Sequence, residues 1–212
     1  MKLAILGATG ALGKVLVQQA IKRGHNIRIL CRNDIQANSI PASVEVVKGD
    51  YFDAESLRET LMGVDVVLST IGPPQHNKTN LKPADFERGM RQLTLEMHKE
   101  GVKRIINVAS TGTRFGAEHY GLWRRVFRVL LRFIAPIVIP GKELELKVLA
   151  ESDLNWTTVR PPLIQAGIGG SLYVDDQTPQ GMRVDTESLA NFMLDQINRS
   201  DWIHRAPFVS SL

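Results

Sequence analysis

The chain has 212 residues, 43% of them apolar, and carries 26 Lys and Arg against 22 Asp and Glu, a net charge of +4. That length and apolar content suit one domain with a full hydrophobic core and exclude a disordered chain. The one cysteine, Cys31, excludes an intramolecular disulfide, a CxxC redox pair and a cysteine-based zinc site, and a reducing cytoplasm is the natural setting.

Short β-branched runs alternate with longer stretches of helical period. In chain order the candidate strands are residues 2–6, 26–30, 44–47, 65–69, 104–109 and 156–159. Most are near-continuous Ile/Val/Leu runs, the pattern of parallel strands covered on both faces. Helices are expected over 12–23, 54–61 and 84–100, and over a long region, 118–151, interrupted at Pro136 and Pro140. Phe86, Met90, Leu93 and Met97 recur at helical spacing and form a core-facing stripe. After residue 159 the text changes to Pro161, Pro162, Gly167, Gly169 and Gly170, with a short hairpin expected around 175–181 and a helix capped by Asp185. These roughly 50 residues read as a small substrate-side cap of about 160–212 on a single domain, too short for a second one. The alternation predicts an α/β, doubly wound parallel sheet. Gly7, Gly10 and Gly13 interrupt the opening apolar stretch too early for a signal peptide, and 133–141, the longest uncharged apolar run, is too short to span a membrane.

Gly7, Ala8, Thr9, Gly10, Ala11, Leu12 and Gly13 follow the first strand and open the first helix. A tight turn at Gly7, close backbone approach to a pyrophosphate at Gly10 and tight helix packing at Gly13 are what a dinucleotide loop requires. Lys14 does not turn this into a phosphate-cradling P-loop, because five residues separate Gly7 from Gly13 and Val15 follows the lysine. Arg32 ends the second strand where an NAD site would carry an acid, so its guanidinium favours the 2′-phosphate of NADP; Asp34, two residues on, keeps NAD possible.

With these features, Lys48-Gly49-Asp50 after the third strand and Val108-Ala109-Ser110 after the fifth, the chain resembles the short-chain dehydrogenase/reductase superfamily, in its divergent NAD(P)H-binding, NmrA-like branch. Residues 146–152, followed by Trp156 and Arg160-Pro161-Pro162, resemble the flavin reductase, or biliverdin-IXβ reductase, group within it. The resemblance implies a Rossmann-type fold in which Asp50 and Tyr51 border the adenine. It places Thr70, Ile71 and Gly72 at the central ribose and phosphates, and Ser110, Pro161, Pro162 and Leu163 at the nicotinamide end. The plainer reading of Asp50 is a helix or turn cap, and that of Gly72-Pro73-Pro74 a rigid turn.

The catalytic pattern departs from the superfamily. No tyrosine has a lysine four residues later: Tyr51, Tyr120 and Tyr173 are followed at that spacing by Glu55, Arg124 and Gln177. Lys142 lies where the superfamily's lysine would be, but Val138 replaces the tyrosine, and Lys142 also reads as a solvated residue opening a helix after Pro140-Gly141. Leu163 stands where flavin reductases often have histidine. Ser110 is the remaining catalytic candidate, better suited to orienting an acceptor's carbonyl than to giving up a proton, and a strand-end cap otherwise. His119 and Tyr120 are possible later arrivals from the following loop. His25, His76, His98, His119 and His204 are scattered, so no metal site is expected.

Chemistry without a strong protein acid suits hydride transfer from NADPH to a flavin, quinone or similar conjugated acceptor. The alternative is a non-catalytic NAD(P)H-binding sensor or assembly factor. An epimerase or dehydratase is disfavoured, because its tyrosine and its larger C-terminal substrate domain are missing. The excess positive charge is concentrated in Arg124, Arg125, Arg128 and Arg132; without these four the chain is neutral, which argues against nucleic acid as a partner. The same segment carries Trp123, Val126, Phe127, Leu130, Phe133 and Ile134, and reads as a lid, a subunit contact, a membrane-surface element or an ordinary surface helix.

Overall fold

Side chains of strand β1 (Lys2–Leu6) divide between two hydrophobic layers, Leu3 and Ile5 entering one, Ala4 and Leu6 the other, all four fully buried. A strand buried on both faces belongs in a parallel sheet with helices on either side. The computed structural model describes residues 1–32, 40–72, 80–116 and 136–212. Within them β1 is joined by β2 (Asn26–Cys31), β3 (Glu45–Lys48), β4 (Val66–Ser69), β5 (Arg104–Val108) and β6 (Asn155–Val159) in one parallel sheet of order β3-β2-β1-β4-β5-β6. This is the doubly wound Rossmann order, with its switch point between β1 and β4.

Five helices cover the sheet: α1 (Ala11–Lys22), α2 (Ala54–Leu61), α3 (Pro83–Lys99), α4 (Val138–Glu151) and α5 (Thr186–Asp195). α1 and α5 pack together over Leu3 and Ile5, while α2, α3 and α4 lie over Ala4 and Leu6. The stripe Phe86, Met90, Leu93 and Met97 is buried, as its spacing predicts. Among the described residues no helix is long and apolar enough to cross a membrane.

Three expectations need correction. Pro140 does not interrupt a helix: it occupies the third position of α4, where no intrahelical N–H bond is required, and the first such bond runs from Gly141 to Ile137 O at 3.0 Å. Residues 117–135, which include His119, Tyr120 and the four arginines, lie outside the described residues.

The hairpin expected around 175–181 does not form. β8 (Leu172–Asp175) pairs antiparallel with β10 (Phe208–Ser211), and β7 (Leu163–Gln165) pairs parallel with β9 (Arg183–Asp185). A local return would have set β8 against the residues that follow Gly181, but Arg183–Asp185 are paired with β7. β10 offers the buried Phe208 and Val209 instead.

Nor are residues 160–212 only a cap, because α5 is part of the main sheet's cover. Asp185 caps it as expected, accepting from the N–H groups of Glu187 and Ser188, and Gln19–Glu187 and Arg23–Asp195 contacts at 2.9 and 2.6 Å tie it to α1.

Candidate functional site

The loop between β1 and α1 has the backbone geometry that its glycines allow. Gly7 adopts φ +79°, a left-handed conformation open to glycine at no cost, and a Cβ there would stand 2.7 Å from Thr70 Oγ1. Gly10 donates its N–H to Gly7 O at 3.0 Å and forms the N-cap of α1 without any side-chain cap, and no acid sits in the first turn. The helix therefore begins with uncapped N–H groups and a positive dipole end facing outward from the sheet, a setting that favours an anion. A Cβ at Gly13 would come within 2.1 Å of Gly7 O, so only glycine lets α1 approach the loop this closely. Leu12 is buried behind the loop in the core.

In front of this loop lies a cavity of 510 Å³, at the carboxyl ends of β1, β2 and β4, the place where open α/β sheets collect ligands. Gly7, Thr9, Gly10 and Ala11 form one wall, Thr70, Ile71 and Gly72 another, and Arg32, Asp50 and Tyr51 a third. All ten are sequence-predicted site residues, and the fold brings them to one space. Arg32 is exposed at the end of β2; Asp34, Pro73 and Pro74 lie outside the described residues. Asp50 accepts from Phe52 N–H at 2.9 Å, making the turn that its cap reading anticipates, and still lines the cavity. Sequence reasoning missed Cys31, Gly49 and Phe52, which flank predicted residues and would follow from widening each strand-end loop. It also missed Leu30, Leu81 and Phe86, whose apolar character marks them as core rather than as lining.

Tyr51 is buried against the cavity, with its ring edge-on to Phe52 at 5.2 Å between centroids. Burial pushes its phenol well above the usual range, and the nearby Glu145 carboxylate adds to the effect, so this hydroxyl is a poor proton donor.

The remaining predicted residues do not line this cavity. Ser110 is half-buried and its hydroxyl accepts from Gly112 N–H at 3.3 Å, the strand-end cap arrangement. Its loop is tied to the β6 end, where Thr111 N–H donates to Pro161 O at 2.9 Å; Pro162 and the exposed Leu163 follow. Lys142 corrects its solvated reading. It is only 4% exposed, and its ammonium donates to the carbonyl of Ile71 and to Glu145 Oε2, the latter at 2.7 Å. Its burial follows from the close seating of α4 on α3, where a Cβ at Gly141 would meet the Phe86 ring at 3.0 Å.

A glycine-lined loop, an uncapped helix start and a cation at the β2 end fit a dinucleotide phosphate chain together with a 2′-phosphate. The comparisons with known proteins agree at the level of the cofactor. A family model described as NAD(P)H-binding matches residues 7–200. A photosystem II assembly factor of Cyanophora paradoxa is 25% identical over 202 residues, 93% of this chain and 56% of its own. An isoflavone reductase homolog of Solanum tuberosum is 35% identical over 80 residues, 34% of this chain and 26% of its own. The matches thus cover about a quarter to just over half the length of these curated relatives.

Among solved structures, ChuY of Escherichia coli, described as an anaerobillin reductase, superposes with a TM-score of 0.82 at 17% identity, covering 100% of this chain and 97% of its own. A short-chain dehydrogenase/reductase of Veillonella parvula solved with NADP gives 0.77 at 17% identity, covering 99% and 94%. At these identities the likeness is one of fold.

Proposed function

The chain belongs to the NAD(P)H-binding family, and from that premise we propose that it is an NADPH-dependent reductase of a conjugated acceptor such as a flavin or quinone. The observation that carries the cofactor half is the joining of Gly7, Gly10 and Arg32 in one cavity at the switch point of the sheet. The loop N–H groups and the α1 dipole would hold the pyrophosphate, and Arg32 the 2′-phosphate. When bound, NADPH supplies a hydride.

The acceptor half is supported by two hydroxyl groups among the described residues. Tyr51 has its phenol pushed up by burial, and Ser110 carries only a weakly acidic hydroxyl engaged at a strand end. Neither can protonate an isolated carbonyl oxygen readily, whereas an acceptor whose reduced form is stabilised by delocalisation needs little protein acid. The residues at the nicotinamide end would then serve to orient the acceptor, with Ser110 as a hydrogen-bonding contact and the exposed Leu163 as an apolar one.

One observation favours a second reading, a dinucleotide-binding assembly factor without turnover: the 25% identity to a photosystem II assembly factor extends over 93% of this chain. A single experiment separates the two. Purified protein is titrated with NADPH and NADH, then mixed with NADPH and a panel of FMN, riboflavin and simple quinones while NADPH absorbance is followed. Turnover with any member supports the reductase; tight binding with NADPH persisting across the panel supports the assembly factor; absence of binding to either dinucleotide refutes both.

A further inference from the structure

Beneath the Ile71 wall of the cavity lies a buried polar cluster to which the reading above gives no role. Lys142 and Glu145 stand at i and i+3 on α4 and so share a face of the helix. Their side chains are 5% and 0% exposed, and the ammonium and Glu145 Oε2 are 2.7 Å apart. Glu145 Oε2 also accepts from Asn107 Nδ2 of β5 at 3.4 Å, while the ammonium donates to the carbonyl of Ile71 at the cavity wall. Glu145 Oε1 and the hydroxyl of Tyr51, both buried, have no hydrogen-bond partner among the described residues.

From this geometry we infer that Glu145 is a positioning residue for the dinucleotide site and acts through Lys142. The inference rests on the reading of the cavity as an NAD(P)H site. A buried ion pair is a weak source of stability. An ion pair taken wholly out of water loses more in desolvation than its attraction regains in many proteins, and apolar residues of similar volume serve as well or better. The unpartnered Oε1 and Tyr51 hydroxyl add to that cost. Positions where a fold departs from its most stable packing tend to be functional.

What the pair supplies is a charged ammonium at a fixed point. Two of its three hydrogens go to Ile71 and Glu145, and through Ile71, which lines the cavity, the ammonium fixes the wall against which a bound dinucleotide would lie. The carboxylate beside it offsets the loss of water around so deeply buried an ammonium. Asn107 holds the carboxylate from the sheet side, so the ammonium is fixed to β4 through Ile71 and to β5 through Glu145 and Asn107.

The test compares NADPH affinity with the thermal stability of the ligand-free protein in Glu145→Gln, Lys142→Met, Lys142→Met/Glu145→Gln and the apolar pair Lys142→Met/Glu145→Leu. The apolar pair is expected to melt at or above the wild type yet bind NADPH about tenfold more weakly or worse, because the Ile71 wall loses the ammonium that holds its carbonyl. Glu145→Gln is expected to weaken binding similarly in the wild-type background and by less than about twofold once Lys142 is methionine, because residues that act as a unit are not additive.

Affinity of the apolar pair within about twofold of the wild type would overturn the inference, as would equal effects of Glu145→Gln in both backgrounds. So would an apolar pair that melts well below the wild type, since the cluster would then be structural. Wild-type protein that binds neither NADPH nor NADH would instead refute the underlying site reading.

Discussion

The hydroxyl of Thr70 shares its one hydrogen between two carbonyl oxygens, those of Leu6 and Gly7, each at 3.1 Å. One side chain at the end of β4 therefore sets the point at which β1 turns into the glycine loop, and the two strands flanking the switch point are joined where the ligand would sit. Thr70→Val keeps the shape and removes the donor. It is expected to cost about 1 kcal/mol of stability and to weaken NADPH binding, read by thermal melts and by fluorescence titration. Unchanged affinity would show that the loop keeps its shape without this contact.

Gly13 gives a more localised test. An alanine Cβ would meet Gly7 O at 2.1 Å, against backbone that cannot swing away, so the loop or the start of α1 must shift. Gly13→Ala is expected to reduce NADPH affinity by about tenfold or more, because the pyrophosphate contacts depend on backbone position. Circular dichroism should show the helix content retained.

Arg32 decides between the two dinucleotides. Arg32→Ser is expected to weaken NADPH about tenfold while changing NADH by less than about threefold, since only NADPH carries the 2′-phosphate. Because Arg32 is exposed, the wild-type preference should also fall as salt is raised. Parallel loss of both dinucleotides would move Arg32 from specificity to folding.

Legibility followed the range of the interactions. The bounds of β1 and α2, the Asp185 cap and the glycine loop were readable because each is fixed by residues within a turn or two of itself. Lys142 was not. A lysine after Pro140 and Gly141 carries no local sign of burial, and its acceptor at Ile71 is 71 residues away. The β8–β10 pairing was hidden for the same reason: Val174 meets Val209 across the chain, whereas the eye seeks a partner beside it. Within the candidate site, lining residues marked by glycine backbone or by charge stood out, and apolar lining residues such as Phe86 looked like ordinary core.

Asp185 yields a prediction in pH. Its carboxyl is held below the usual carboxylate range chiefly by the N–H of Ser188, against an opposing push from burial, with Glu187, Gly167 and Ile168 N–H groups contributing in the same sense as Ser188. A depressed carboxyl stabilises the fold above its unfolded pKa of about 3.9, and that contribution disappears as pH falls through the lower folded value. Asp185→Asn is therefore expected to be less stable than the wild type by about 1 kcal/mol at neutral pH, with the gap closing below about pH 4. A gap that stays constant down to pH 3 would mean that the charge of Asp185 contributes nothing.

The seating of α5 against α1 has a consequence for synthesis. The glycine loop is made well before α5, yet Leu16, Val17 and Ala20 of the helix behind it pack in a layer completed by Leu189, Ala190 and Met193. While more than 160 residues are still being added, that apolar stripe has no helix beside it, and the nascent chain carries an unfinished ligand loop on a helix exposed along one flank. The layer behind the glycine loop closes only once residues 186–195 have been made.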